Sequence, residues 1–183
     1  MNQTIVAVLL AGVTLLGAGP RRVERGDISV KCPMTIGGSF DAKTTALTGT
    51  VNANGGSALD GSLAVDLRSI DTGISLRNDH LREKYLEVDK GAGFDKAVLS
   101  DITLKGLNVE APDGTGSFSG SLTLHGVTKT VGGPVEVRKA GAGLRVKASF
   151  PVNLHDYNIA EPRYLGVGVR DTVQVDVTFT TAQ

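Results

Sequence analysis

Apolar and polar residues alternate with a period of two along most of this chain. Leu63, Val65 and Leu67 share one face, with Ala64 and Asp66 on the other. Phe118, Leu122 and Leu124 form a second set, with Gly120 as a gap. Leu144, Val146, Ala148, Phe150, Val152 and Leu154 form an unbroken third. Val173, Val175, Val177 and Phe179 alternate with Thr172, Gln174, Asp176 and Thr178. Repeated over this many segments, such alternation marks antiparallel strands with one dry and one wet face. Turn chemistry separates them at Asn54-Gly55-Gly56, Pro112-Asp113-Gly114, Gly132-Gly133-Pro134 and Ala140-Gly141-Ala142-Gly143. The pattern predicts about eight strands, at 28–34, 44–52, 58–67, 97–109, 116–125, 128–138, 143–154 and 171–181.

One stretch breaks the period. From Ser75 to Val88 (SLRNDHLREKYLEV), Leu81, Tyr85 and Val88 fall at i, i+4 and i+7, with Arg77, Asp79, Arg82, Glu83, Lys84 and Glu87 on the other faces. That spacing predicts a lone helix with one narrow apolar stripe. In a β-protein it must dock on the side of a sandwich or at the open end of a barrel.

Each fully buried residue of the Val173–Phe179 face contributes roughly 1.5–3 kcal/mol as an upper estimate. Eight such strands can close a sheet around side chains or one small ligand, and closure removes the edge-strand hazard. A closed barrel is therefore favoured over a sandwich, in one all-β domain. Whether its aliphatic interior is a packed core or a tube that binds an apolar molecule stays open at this point. With 183 residues the chain can bury a real core.

Nineteen basic residues balance nineteen acidic ones, so nothing points to nucleic acid as a partner. Aromatics make up only 4% and Trp is absent, which argues against stacking platforms for bases or sugars. Ile5 to Gly19 is an uncharged run of about fifteen residues, short for a membrane span and close to a signal-peptide core. The small residues Gly17, Ala18 and Gly19 follow it. The expected organisation is a cleaved signal peptide over 1–19, a polar lead-in over 20–27 and the barrel over 28–183. A retained anchor is the alternative. Cys32 is the only cysteine, so no intramolecular disulfide exists; it is a buried inert thiol or, if exposed, a link between chains.

Catalytic signals are weak. His80, His125 and His155 match no local metal motif, and a metal site would need all three at one barrel rim. There is no G-x-S-x-G elbow, and Gly114-Thr115-Gly116 precedes a strand rather than a helix. The expectation is no enzyme, no metal and no required cofactor. A ligand-free structural or interaction domain and an enzyme using rim histidines are the competing readings.

Four blocks resemble the YceI-like family of periplasmic lipid-binding proteins. They are Gly38-Ser39-Phe40 leading into Leu47-Thr48-Gly49-Thr50-Val51; Ser69-Ile70-Asp71-Thr72-Gly73 running to Arg77-Asn78-Asp79-His80-Leu81-Arg82; Gly120 to Lys129; and Leu154-His155-Asp156-Tyr157-Asn158-Ile159 with Asp171 to Phe179. The resemblance implies a lipocalin-like barrel, periplasmic or secreted, with the helix near its mouth. It also implies a long amphiphile inside: a polyisoprenoid, an isoprenoid quinone or a fatty-acid derivative. Leu81, Tyr85 and Val88 would then close the mouth. Phe40, Phe118, Leu122, Leu124, Phe150 and Leu154 would line the tube. Tyr157, His80 and Arg77 are candidates for the head group. A homodimer and transient contact with a membrane donor or acceptor are further expectations. The chain departs from the family at Ile28-Ser29-Val30-Lys31-Cys32-Pro33, where a Phe and a His are usual; Pro33 there predicts an edge or bulged strand.

Overall fold

A computed structural model describes residues 19–53, 56–108, 112–164 and 167–182. Its strands are β1 (Arg21–Pro33), β2 (Ser39–Thr44), β3 (Leu47–Ala53), β4 (Ala58–Asp66), β5 (Lys96–Lys105), β6 (Gly114–Leu124), β7 (Val127–Ala140) and β8 (Gly143–Asn153). The short β9 (Arg163–Tyr164) and β10 (Val167–Gly168) form a hairpin, and β11 (Thr172–Ala182) ends the described chain. One helix, α1 (Ser75–His80), lies between β4 and β5.

The strands from β3 to β8 pair antiparallel with their neighbours in sequence, and β11 joins β8 to β1. One edge of β1 therefore pairs with β11, from Arg22↔Ala182 to Lys31↔Gln174. Its other edge pairs with β3 at Arg21↔Val51 and with β2 from Ile28↔Thr44 to Pro33↔Ser39. Thus β2 and β3 share one strand position, broken at Thr45 and Ala46. The result is a closed barrel of eight positions, as the alternation predicts.

The expected turn at Gly132-Gly133-Pro134 lies inside β7, paired with Ser119, Phe118 and Ser117 of β6, and three further sequence expectations need correction. The segment 20–27 is not a polar lead-in, because β1 begins at Arg21. Its outward positions carry Arg22, Glu24, Arg25 and Asp27, while Val23 and Gly26 are buried. A bulge between Val23 and Arg25 breaks the alternation and hides the strand. Secondly, of the two alternatives expected for this strand, β1 is bulged, between Val23 and Arg25, and is the closing strand rather than an edge. Pro33 stands beyond the end of the β11 ladder, and its carbonyl accepts from Arg170 N at 2.8 Å. Thirdly, the expected strand at 44–52 starts late: β2 and the β9–β10 hairpin add pairing the period did not predict. The signal-peptide assignment, the Asn54-Gly55 part of one turn and the last residue of the expected 97–109 strand lie outside the described residues; the strand itself ends early, at Lys105.

The inner faces of all eight positions meet around one axis. Gly49 shows how tightly β3 and β4 cross. At φ 137°, a Cβ there would collide with the Ser62 carbonyl oxygen.

Candidate functional site

The interior is not filled. A cavity of about 710 Å³ runs along the barrel axis between the inward faces. Phe118 and Phe150 meet edge to face on its wall, with centroids 5.4 Å apart. Val137, Leu144, Val173 and Val177 extend the wall along β7, β8 and β11. Its surface is almost wholly aliphatic or aromatic, so water inside gains few hydrogen bonds and a hydrocarbon chain displaces it favourably.

The segment from Leu67 to Asp95 covers one end as a lid. It starts with a 3₁₀ turn at Leu67–Ser69, continues through α1 and a π-helical turn at Leu81–Tyr85, and ends in a 3₁₀ turn at Val88–Lys90. The expected single helix over 75–88 is thus three pieces. The π turn closes with Leu86 N donating to Leu81 O at 2.8 Å, one residue beyond α-helical spacing. That extra residue rotates Leu86 onto the cavity wall. Glu87 then adopts a left-handed conformation, φ 50°, which ends the helical run.

Side-chain hydrogen bonds hold the lid. Asn78 Oδ1 accepts from Thr72 N at 2.8 Å and Thr72 Oγ1 at 2.7 Å, while its Nδ2 donates to Asp71 Oδ1 at 2.7 Å. Asp71 Oδ1 also accepts from Gly73 N at 2.9 Å. These donors, Asn78 first, hold the Asp71 carboxyl below its ordinary pKa. The Asp71 backbone exchanges two bonds with Lys43 and so ties the lid to β2. Arg82 donates to Ile70 O at 2.9 Å, and Arg68 to Val88 O at 2.8 Å. Tyr85 Oη accepts from Arg163 N at 3.1 Å, joining lid and hairpin loop.

On the far side of the lid, His125 acts as a latch. Its Nδ1 faces Tyr157 O and its Nε2 faces Glu87 Oε2, both at 3.0 Å. The Phe94 ring packs edge-on against the imidazole at 4.7 Å. Lys90 Nζ, 2.8 Å from the other Glu87 oxygen, and then His125 hold the Glu87 carboxyl below its ordinary pKa. The sequence marks His125 only as a polar strand end. Its left-handed φ of 51° beside Gly126 is the local feature that turns it toward the lid.

Of the residues expected to line the tube, the structure places Phe40, Phe118, Leu122, Leu124, Phe150 and Leu154 on the cavity wall. Leu81 and Tyr85 reach it from the lid, and Arg77 and His80 stand at the opening. Val88 and Tyr157 do not line it. Val88 is 3% exposed and packs behind the lid, turned away by the π turn. Tyr157 is 1% exposed and packs in the surrounding core, and its hydroxyl has no hydrogen-bond partner among the described residues. Leu86, Ile74, Leu76 and Met34 belong to the wall and were not expected there. Ile74 and Leu76 are also exposed, so the mouth is apolar on its outer side.

Cys32 is buried on the wall. Burial, then the negative charge of Asp41, pushes its thiol up to about 11, with Arg77 opposing. It is an apolar wall group at neutral pH. The three histidines do not converge. Among the described residues, the His/Cys/Asp/Glu group with metal-like spacing is His155, Glu161 and Asp171 near the hairpin loop, within 4.8 Å of one another. Arg163 is ion-paired to Glu161 in that cluster.

A closed antiparallel barrel around an apolar cavity, lidded at one end, defines a binding fold for a hydrophobic small molecule. The model of the YceI-like domain matches residues 25–181, and the chain belongs to that family. Its fold is similar to a polyisoprenoid-binding domain from Saccharophagus degradans implicated in plant cell wall breakdown. The TM-score is 0.67 and the identity 19%, covering 88% of this chain and 97% of that one. It is similar to BcnA of Burkholderia cenocepacia, with a TM-score of 0.67, 20% identity, and 85% and 95% coverage. A YceI protein from Campylobacter jejuni matches with a TM-score of 0.54 at 15% identity, over 75% of this chain and 81% of that one. No curated protein matches the chain by sequence.

Proposed function

We propose that this protein carries or stores one long-chain amphiphile, of polyisoprenoid, isoprenoid-quinone or fatty-acid type, in a periplasmic or secreted setting. The observation that carries the reading is the continuous apolar cavity of about 710 Å³ under the lid. A ligand-free barrel would fill that space with its own side chains. The reading is also supported by the S. degradans neighbour, described as polyisoprenoid-binding, and by the uncharged run at Ile5–Gly19.

Transfer of ten methylenes from water is worth about 8 kcal/mol gross, and association takes back several of those. A chain longer than ten carbons is therefore needed for micromolar affinity or better. The protein selects length and apolarity, and it acts by binding rather than by catalysis. Arg77 and His80 at the opening meet the head group, and the apolar rim at Ile74 and Leu76 makes transient contact with a membrane donor or acceptor.

The test is displacement of a fluorescent fatty-acid probe by straight-chain alcohols of increasing length. Affinity should rise by up to about fourfold per methylene and level off when the cavity is full. Absence of displacement at every length would remove the carrier reading.

A further inference from the structure

Apart from the Cys32 thiol and the Tyr85 phenol, every ionisable side chain on the cavity wall is basic, and no carboxylate lines it among the described residues. The charged or chargeable basic groups are Arg21, Arg77, His80 and Arg163. Arg163 is neutralised by Glu161. Arg21 and Arg77 are not neutralised: among the described residues neither has an ion-pair or side-chain hydrogen-bond partner. Arg77 instead lies over the Phe40 ring, its Cζ 4.0 Å from the centroid. Asp41, next along β2, is 3.8 Å from Lys43 and is paired there.

Arg21 is at the opposite end from the lid. It lies on the inward side of β1 before the Val23–Arg25 bulge, in register with Val51. Both residues line the cavity, and the Arg21 Nη1 is shielded from solvent with no acceptor. A guanidinium nitrogen held so is costly unless something supplies an acceptor. A carboxylate or phosphate supplies the strongest one, by a charge-assisted and often bidentate hydrogen bond. Low-polarity walls strengthen that attraction over its value in water.

Resting on the carrier reading, we propose that the cavity selects its amphiphile by charge. It takes chains bearing a carboxylate or phosphate in preference to neutral or cationic ones, through the unpaired guanidinium groups of Arg21 and Arg77 at its two ends.

The experiment compares hexadecanoate, hexadecyl phosphate, hexadecanol and hexadecylamine as competitors for one fluorescent probe. Wild type, Arg21→Gln, Arg77→Gln and the double variant are measured, each with its melting temperature. In wild type the anions should bind about tenfold or more tighter than the alcohol, and the amine weakest. The ratio of anion to alcohol should fall to within about twofold in the double variant. The single variant that lowers it more marks the end where the charge rests. The two anions separate a carboxylate source from a phosphate source.

Equal binding of anion and alcohol by wild type would overturn charge selection while leaving the carrier reading intact. A preference that persists in the folded double variant would overturn the assignment to these arginines. Failure of all four chains to bind would remove the carrier reading itself. If the glutamine variants fail to fold, Arg21→Lys and Arg77→Lys serve instead: the ratio should then persist but shrink, and an unchanged ratio would overturn the role of the guanidinium.

Discussion

The barrel wall and the lid are built by different physics. The wall is a ladder of backbone hydrogen bonds that closes on itself, and its side chains only need to be apolar and inward. The lid is a chain of short helical pieces held by individual side chains: Asn78 on Thr72 and Asp71, Arg82 on Ile70, Tyr85 on Arg163 and Glu87 on His125. The difference teaches where stability and access are separately set. Damage to the wall is expected to act globally, because each strand position supports its neighbours. Damage to the lid is expected to act locally, opening the mouth while leaving the barrel closed.

The largest effect is expected from a charge in the wall. Val137, 3% exposed on β7, packs within the apolar core cluster, where a carboxylate would be stripped of water. Val137→Asp should cost several kcal/mol and unfold the domain. Leu154→Asp lies half-buried at the lidded end, where the new carboxylate can reach water. It should leave a folded barrel that no longer takes up a long-chain probe. Circular dichroism melts and probe binding on both variants check this, and unfolding by Leu154→Asp would mean that the lidded end is packed core.

A smaller effect is expected from the lid. Asn78→Ala removes three side-chain hydrogen bonds and should cost about 1–3 kcal/mol locally. Hydrogen exchange should quicken in the 71–85 segment, and ligand release should speed up, with little change in the barrel strands. A uniform rise in exchange across β6–β8 would show that lid and wall are one unit.

The smallest expected effect is a pH response confined to the lid. Asp71 and Glu87 both have folded pKa values below their ordinary range. Carboxyls depressed in this way contribute stability that is present above the unfolded value and lost as pH falls through the folded one. Acidification below about pH 4 should therefore loosen the lid before the wall. Segment-resolved exchange at descending pH tests the order, and simultaneous loss would contradict it.

The same contrast explains what the sequence revealed. Wall strands such as Val173–Phe179 announce themselves because period two survives any packing detail. The start of β1 escapes because its bulge puts charged residues in succession and leaves only Val23 and Gly26 as inward markers. On the lid, the Leu81–Tyr85–Val88 stripe is right for an α-helix, but one π turn exchanges Val88 for Leu86. No local pattern announces that inserted residue. The unpaired arginines are equally silent in sequence, since only the folded register sets Arg21 inside and leaves Arg77 without a carboxylate.

In the proposed function the barrel holds a long amphiphile rather than its own packed side chains. Native mass spectrometry of the protein purified from its own cells tests it most directly, followed by organic extraction and identification of whatever is released. Added mass for one long-chain molecule per chain is expected, released by solvent and replaceable by a long-chain probe. A bare chain mass, together with refusal of every long-chain probe, would contradict it.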